Sequence, residues 1–200
     1  MSPRTTTSSV LVAVFLAGTA LVAAGMSPQQ ADAFARKLDQ IERRAVTPLS
    51  STTSRTPVTE TELNSWFMYR AQPLLPSGVT DPKLTIVGNG KVMGTVVVDL
   101  QQVAKTRGSN SSFDPLSLLG GRVPVTVSGV LHTKGGHGQF DLQEADISGV
   151  PVPKPVLQQL LTYYSRSPEH PNGVQLDAPF ELPANIREIE IGQGQAVVVQ

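Results

Sequence analysis

Apolar and polar residues alternate in three stretches of the second half of the chain, and each stretch contains a turn signal. In the first, the alternation runs on both sides of Asn89-Gly90, a strong short-range hairpin signal. The second, residues 123–147, turns at the Gly-rich residues 135–138, and its change of phase predicts a β-bulge near Gln143. The third, residues 189–199, turns at residues 192–194. We therefore predict three β-hairpins whose opposite face is polar and solvated.

Helical patterns separate these hairpins. Thr59-Glu60-Thr61-Glu62 reads as a capping box that starts a short helix, and residues 100–107 predict one or two further turns. Residues 153–165 carry one broad apolar face and predict the longest helix of this region. The order of elements predicts an α+β fold: a strongly curved antiparallel sheet of about six strands, made of the three hairpins, wrapped around this long apolar helix.

The N-terminal residues 1–25 have the pattern of a signal peptide or an N-terminal membrane anchor. Arg4 precedes an unbroken apolar run, residues 10–24, which is shorter than a typical membrane-spanning helix. Small residues at Val22 and Ala24 suit cleavage before Gly25, and retention as an anchor is the alternative. Both readings predict an exported protein, periplasmic or associated with the cell envelope.

Residues 26–46 predict an amphipathic helix. Ser27 suits the N-cap, and Phe34, Leu38 and Ile41 recur at helical spacing among several basic residues. This helix either packs on the folded domain or lies against a membrane surface. Residues 47–57 are rich in Ser, Thr and Pro and predict a linker, so that residues 58–200 form the α+β domain.

Charge and composition exclude several classes of function. The chain has 16 Lys and Arg against 16 Asp and Glu; residues 1–55 carry six of these basic groups against three acidic ones, which leaves ten against thirteen for residues 56–200. A domain with an acidic excess repels phosphate backbones, so we expect no nucleic-acid partner. The absence of cysteine excludes disulfides, thiolate chemistry, cysteine-bound metals and a lipoprotein anchor.

No motif for catalysis or cofactor binding stands out. His132, His137 and Asp141 surround one hairpin turn, where two histidines and a carboxylate could in principle meet a metal. No further ligand follows at a characteristic spacing, and solvent-facing histidines are the simpler interpretation. The dinucleotide-binding spacing G-x-G-x-x-G is missed by one residue at Gly88-Asn89-Gly90 and Gly94. This segment also joins two strands, so it offers no helix N-terminus to hold a pyrophosphate. We expect no enzyme activity, no cofactor and no metal.

Apolar side chains give more information about a candidate binding site than polar side chains do. Adjacent leucines in the predicted helix and in the preceding loop cannot all face the same core. They belong either to an ordinary core with apolar loop residues plugged into it, or to an elongated apolar groove between helix and sheet that could hold an acyl chain or a hydrophobic peptide. The aromatic rings and the cation at the end of the helix suit the mouth of such a groove. The candidate ligand-binding residues are Leu116, Leu119, Val156, Leu157, Leu160, Leu161, Tyr163, Tyr164 and Arg166.

Two short motifs resemble a known family. Thr59-Glu60-Thr61-Glu62-Leu63-Asn64 resembles the T-x-x-E-L-N helix start of small exported bacterial proteins of the tubular lipid-binding (TULIP-like) type. Residues 147–153, followed by Leu157 and the pair Leu160-Leu161, resemble the strand-to-helix passage of the same proteins. The resemblance covers about residues 57–200 and implies a curved sheet around a long helix, with a lipid-lined tunnel in some members and a filled core in others.

These observations lead to two functional hypotheses. The first is a non-enzymatic envelope protein that binds a lipid or other apolar small molecule in the groove and contacts the membrane surface through its N-terminus. The alternative is a structural or interaction module of the envelope with a filled core and no ligand. The ligand, the protein partners and the oligomeric state are not encoded in a readable motif.

Overall fold

The computed structural model describes residues 25–46, 52–106, 121–166 and 171–200. Four α-helices occur in these ranges: α1 (Pro28–Val46), α2 (Glu60–Tyr69), α3 (Leu100–Thr106) and α4 (Lys154–Ser165). The strands are β1 (Arg55–Thr59), β2 (Val79–Gly88), β3 (Lys91–Asp99), β4 (Arg122–Lys134), β5 (His137–Ile147), β6 (Val150–Pro151), β7 (Phe180–Glu181), β8 (Glu188–Ile191) and β9 (Gln195–Val199). The α+β class predicted from the sequence is confirmed.

The main sheet is antiparallel and has six strands. Five of them have the order β2-β3-β4-β5-β6. The sixth strand, β7, pairs with β5 on the same side as β6, but at the other end of β5. The first two predicted hairpins, β2–β3 and β4–β5, form its centre. Asn89 and Gly90 both have positive φ, at 53° and 79°, as the predicted two-residue turn requires.

The predicted β-bulge is also present. Ser128 pairs with Glu144, whereas the next residue, Gly129, pairs with Leu142, so Gln143 is the extra residue of β5. The bulge brings apolar residues from both halves of β5 to the same face of the sheet as Gly129.

The third predicted hairpin forms, but it does not extend the main sheet. Strands β8 and β9 pair with each other and with β1, in a separate three-stranded sheet of order β1-β9-β8. The pairing of β1 with β9 joins Arg55 to Val199 and Thr59 to Gln195. The expectation that all three hairpins build one sheet is therefore corrected, because the C-terminal hairpin takes its third strand from the N-terminal part of the domain.

The start of the folded unit also differs from the expected boundary. Residues 55–57, the end of the predicted linker, belong to β1, and the backbones of Ser54 and Gln200 exchange two hydrogen bonds of 3.0 Å. Residues 47–51 lie outside the described residues. Burial of Thr56 and Val58 explains the strand, since alternate side chains of β1 face the interior.

Helix α1 begins as predicted and packs on α2. The Ser27 hydroxyl accepts a hydrogen bond from the Gln30 amide at 3.3 Å, and the rings of Phe34 and Trp66 meet edge to face with centroids 5.5 Å apart. Ala31 and Ile41 supply the buried side of α1. The amphipathic helix of the sequence analysis is thus in contact with the rest of the domain.

Helix α4 spans nearly the range expected for the long apolar helix. It follows β6 directly, and among the described elements its main contacts are with β5, at one edge of the main sheet. The expected wrapping of the sheet around this helix is not confirmed.

Candidate apolar groove

One face of the main sheet is apolar along its central rows. Cross-strand registers place its residues in rows across the strands. One row consists of Ile86, Val92, Gly129 and Leu142; the next two consist of Leu84, Gly94, Val127 and Ala145, and of Val96, Val125 and Ile147. Residues in register on one face lie about 5 Å apart from strand to strand, so each row is a continuous apolar strip.

The face is filled at the end that contains Gly129. Ile86 and Leu142 are buried there, and a Cβ added at Gly129 would clash with the Asp141 carbonyl oxygen and lie 2.6 Å from Cζ of Phe140, both in the neighbouring strand β5. Strand β8 closes this end, because Thr133 Oγ1 accepts a hydrogen bond from the Ile189 amide at 2.8 Å and donates one to the Ile189 carbonyl at 3.0 Å. The three-stranded sheet therefore packs on one end of the apolar face.

The face is more open at the next rows. Among the described residues, a Cβ added at Gly94 would have one neighbour within 4 Å, Cγ2 of Val127 at 3.7 Å. This is ordinary van der Waals contact, and no positive φ strains the backbone at Gly94. Val96, Val125 and Ile147 are each partly exposed although they lie in register across three neighbouring strands. We call the strip formed by Gly94, Val96, Val125, Val127 and Ile147 the open apolar strip.

Helix α4 starts beside this region. Ile147 pairs with Val150 of β6, and the Val152 amide donates to the Ala145 carbonyl at 2.9 Å, immediately before the helix begins. Leu157, Leu160 and Leu161 of α4 are partly exposed, and Val156 is exposed. Strand β6 therefore brings the apolar helix to the edge of the strip.

A different side of α4 is occupied by the chain that follows it. Gln158 Oε1 accepts from the Leu176 amide at 2.8 Å, and Ser165 Oγ accepts from the Val174 amide at 2.6 Å. These side chains hold residues 174–176 along the helix. The two polar side chains therefore face residues 174–176, and Leu157 and Leu160 lie on a different side of the helix.

The residues predicted for the groove have different outcomes. Leu116 and Leu119 lie outside the described residues. Tyr163 and Tyr164 belong to the last turns of α4, but their side chains are outside the described part of the structure, and Arg166 is exposed just after the helix ends. Sequence reasoning did not include Gly94 in the groove, although a glycine on the apolar side of an alternating strand is itself a signal of free space.

The motif Thr59–Asn64 serves as a polar junction. Thr59 and Glu62 form both hydrogen bonds of the capping box. Glu60 accepts a hydrogen bond from the Ile86 amide at 2.7 Å. Asn64 accepts from the Leu84 amide at 2.8 Å and donates to the Leu84 carbonyl at 2.7 Å. These side chains pair with the outer edge of β2 as a neighbouring strand would.

Glu62 also joins the two N-terminal helices. Its carboxylate accepts two hydrogen bonds from Lys37 Nζ, at 2.6 and 2.7 Å, and its side chain is 10% exposed. Burial raises the pKa of Glu62, but the hydrogen bonds from Lys37 and Thr59 outweigh it, so the pKa lies below its ordinary value. The Glu62 carboxylate is therefore ionised and holds α1 against α2.

A second concavity, of about 290 Å³, lies between the β4–β5 turn and the loop before β8. Its lining combines backbone with polar and apolar side chains: Gly135, Gly136, His137, Glu181, Leu182, Asn185, Ile186 and Arg187. Within the described ranges, no group of three or more His, Asp or Glu residues is placed to hold a metal ion.

No protein-family model matches the chain, and comparison with curated proteins and with solved structures finds no similar protein. In the part of the chain that the structure describes, no helix is long and apolar enough to span a membrane. The apolar run at residues 10–24 lies outside that part.

Proposed function

We propose that this protein is a non-enzymatic, exported protein of the cell envelope that binds a lipid or other apolar small molecule between α4 and the open apolar strip. The observation that carries the proposal is a contrast among the described residues: a Cβ at Gly94 would meet a single atom within 4 Å, whereas a Cβ at Gly129, one row away on the same face, would clash with strand β5. A face that is packed at one end and open at the next rows has room for a ligand where a side chain would otherwise complete the core.

The chemistry of the strip supports an acyl chain or a similar hydrocarbon as the ligand. Valine and isoleucine side chains offer dispersion contacts and no polar group that must be satisfied. The resemblance of residues 59–64 and 147–153 to TULIP-like proteins points to the same ligand class.

The direct test adds a side chain at Gly94, within the open apolar strip. Gly94→Leu places a side chain into the free space, so the affinity for a long-chain fatty acid with an anthroyloxy fluorophore should fall at least about tenfold, because the ligand loses its contact surface. Thr95→Leu is the matched control, since its side chain lies on the opposite face of the same strand and should leave binding unchanged.

Stability separates this proposal from the filled-core module. If the strip is a ligand groove, Gly94→Leu keeps or raises the free energy of unfolding of the empty protein, because glycine in a strand costs about 0.5–1 kcal/mol. If the core is filled, the added side chain overpacks it and costs about 1–3 kcal/mol. Destabilisation by Gly94→Leu together with no binding of the probe by the unsubstituted protein would refute the ligand-binding function.

Export has a separate test. The pattern of residues 1–25 predicts that alkaline phosphatase fused after residue 51 becomes active outside the cytoplasm. Activity of a cytoplasmic reporter only, at the same junction, would contradict the proposed location without bearing on the groove.

A further inference from the structure

A second surface, separate from the groove, is formed by the beginning of α1 and the end of α2. The Ser27 amide donates to Ser65 Oγ at 3.2 Å, which brings the start of α1 against α2. Met68 and Tyr69 follow Ser65 by three and four residues and therefore lie one turn further along the same side of the helix. Leu74 follows in the short 3₁₀ turn Gln72–Leu74.

The large apolar side chains at this end are exposed to a high degree. Met26 is 51% exposed, Met68 55%, Tyr69 46% and Leu74 70%. Scattered exposed apolar residues are ordinary, but a group of four at one end of a helix pair marks an interaction surface. We call these four residues the apolar end.

The sequence around the apolar end is almost free of charge. Residues 25–31 contain no Asp, Glu, Lys or Arg, and residues 63–80 contain only Arg70. Arg70 is neutralised by Asp32, to which its Nε donates at 2.8 Å. Charged groups resist insertion at a lipid interface, and amphipathic Tyr is enriched there, so this composition suits contact with the headgroup and upper acyl region of a bilayer.

The position of the surface along the chain identifies its partner. The apolar run at residues 10–24 ends directly before Gly25, and Met26 is the second described residue. When residues 1–24 are retained as a membrane anchor, the chain leaves the bilayer at the apolar end. We infer that Met26, Met68, Tyr69 and Leu74 rest in the lipid–water interface and fix the orientation of the domain on the membrane.

The test uses the absence of cysteine in this protein. Single substitutions Met68→Cys and Leu74→Cys each give one attachment point for an environment-sensitive NBD fluorophore on the full chain. Val150→Cys and Val174→Cys are the controls, because Val150 and Val174 are also exposed but belong to β6 and to the loop after α4. Urea unfolding of each labelled protein verifies that it is folded.

The labelled proteins are reconstituted into vesicles of phosphatidylcholine and phosphatidylglycerol that contain a nitroxide-bearing lipid. We expect labels at positions 68 and 74 to emit at shorter wavelength and to be quenched by this lipid at least about twofold more than the control labels. Equal quenching at all four positions, with equal access of iodide from the water, would overturn the inference.

Protein partners give a distinguishable result. Labels at positions 68 and 74 that are protected from iodide but not quenched by the nitroxide lipid would show contact between copies of the chain and would also overturn the inference. Neither outcome depends on the open apolar strip, so this inference and the proposed function can fail independently.

Discussion

Replacement of Asn64 by Ala removes the side chain that covers the outer edge of β2. The carboxamide makes two short hydrogen bonds to the backbone of Leu84, and Asn64 itself is only 6% exposed. Two hydrogen bonds at about 1 kcal/mol each give a loss of about 2 kcal/mol, and the incomplete rehydration of the half-buried Leu84 groups raises it to about 2–4 kcal/mol.

The assay is urea unfolding followed by the fluorescence of Trp66, the single tryptophan of the chain. Trp66 lies in the same helix as Asn64 and against Phe34, so it reports on this junction. Gln159→Ala, an amide truncation at an exposed position of α4, is the control and should change the free energy of unfolding by less than about 0.5 kcal/mol.

Asn64→Asp distinguishes edge pairing from simple packing. It preserves the acceptor for the Leu84 amide but places a carboxylate against the Leu84 carbonyl, so we expect a larger loss than for Asn64→Ala at pH 7. Burial and repulsion raise the pKa of the new carboxyl. The Asn64→Asp protein should therefore recover stability as the pH falls, because the protonated carboxyl can donate a hydrogen bond to the Leu84 carbonyl. The reasoning is refuted if Asn64→Ala behaves like the control, or if Asn64→Asp shows no recovery at low pH.

Substitutions in two ion pairs of different burial should change the free energy of unfolding to different extents. Lys37→Met leaves the buried carboxylate of Glu62 with fewer donors and should cost about 1–3 kcal/mol in urea unfolding at pH 7. Because the pKa of Glu62 is lowered in the folded protein, its contribution is present above the ordinary pKa of about 4.3 and is lost as the pH falls. Removal of Lys37 raises the folded-state pKa, so the variant should lose less stability than the unsubstituted protein as the pH falls through this range, and an unchanged pH profile would contradict the assignment. Arg55→Ala breaks an exposed pair with Glu190 and should leave the urea midpoint unchanged within error, since such pairs contribute little in water; a loss as large as that of Lys37→Met would count against this reading.

Local signals explain why the hairpins were predictable. The Asn89-Gly90 turn and the bulge at Gln143 are encoded within a few residues, because positive φ and a change of alternation phase both leave a mark in the sequence. The capping box of Thr59 and Glu62 belongs to the same class. Each of these features depends on contacts between neighbours along the chain.

Strand β1 was not predictable for the opposite reason. It contains Pro57 within a stretch rich in Ser and Thr, and its partner β9 is near the other end of the sequence. Pro57 is tolerated because β1 is an edge strand, which requires fewer backbone donors. The three-stranded sheet therefore depends on a long-range pairing that periodicity does not reveal.

The candidate groove was predictable only in part. Alternation identifies Val96, Val125 and Ile147 as members of an apolar face, but it does not show which rows of that face are covered. Coverage depends on where β8 packs and where α4 starts, and both follow from tertiary contacts. The contrast between Gly94 and Gly129, two glycines on one face with different surroundings, exists only in three dimensions.

Helix α1 is bound to the domain through contacts at both of its ends, which makes the modularity of the N-terminal region testable. Asn185 Nδ2 donates to the Ala45 carbonyl at 2.9 Å and Gln200 Nε2 to the Ile41 carbonyl at 2.9 Å, while Lys37 pairs with Glu62. A protease site engineered into residues 47–51 should therefore yield two fragments that remain associated in size-exclusion chromatography until urea separates them. The isolated piece beginning at residue 52 should be less stable than the cut complex, because Trp66 loses its contact with Phe34 and Glu62 keeps a buried charge without its cation. If that piece elutes alone after cleavage and unfolds at the same urea concentration as the intact chain, α1 is an independent appendage and its contacts with α2 do not stabilise the fold.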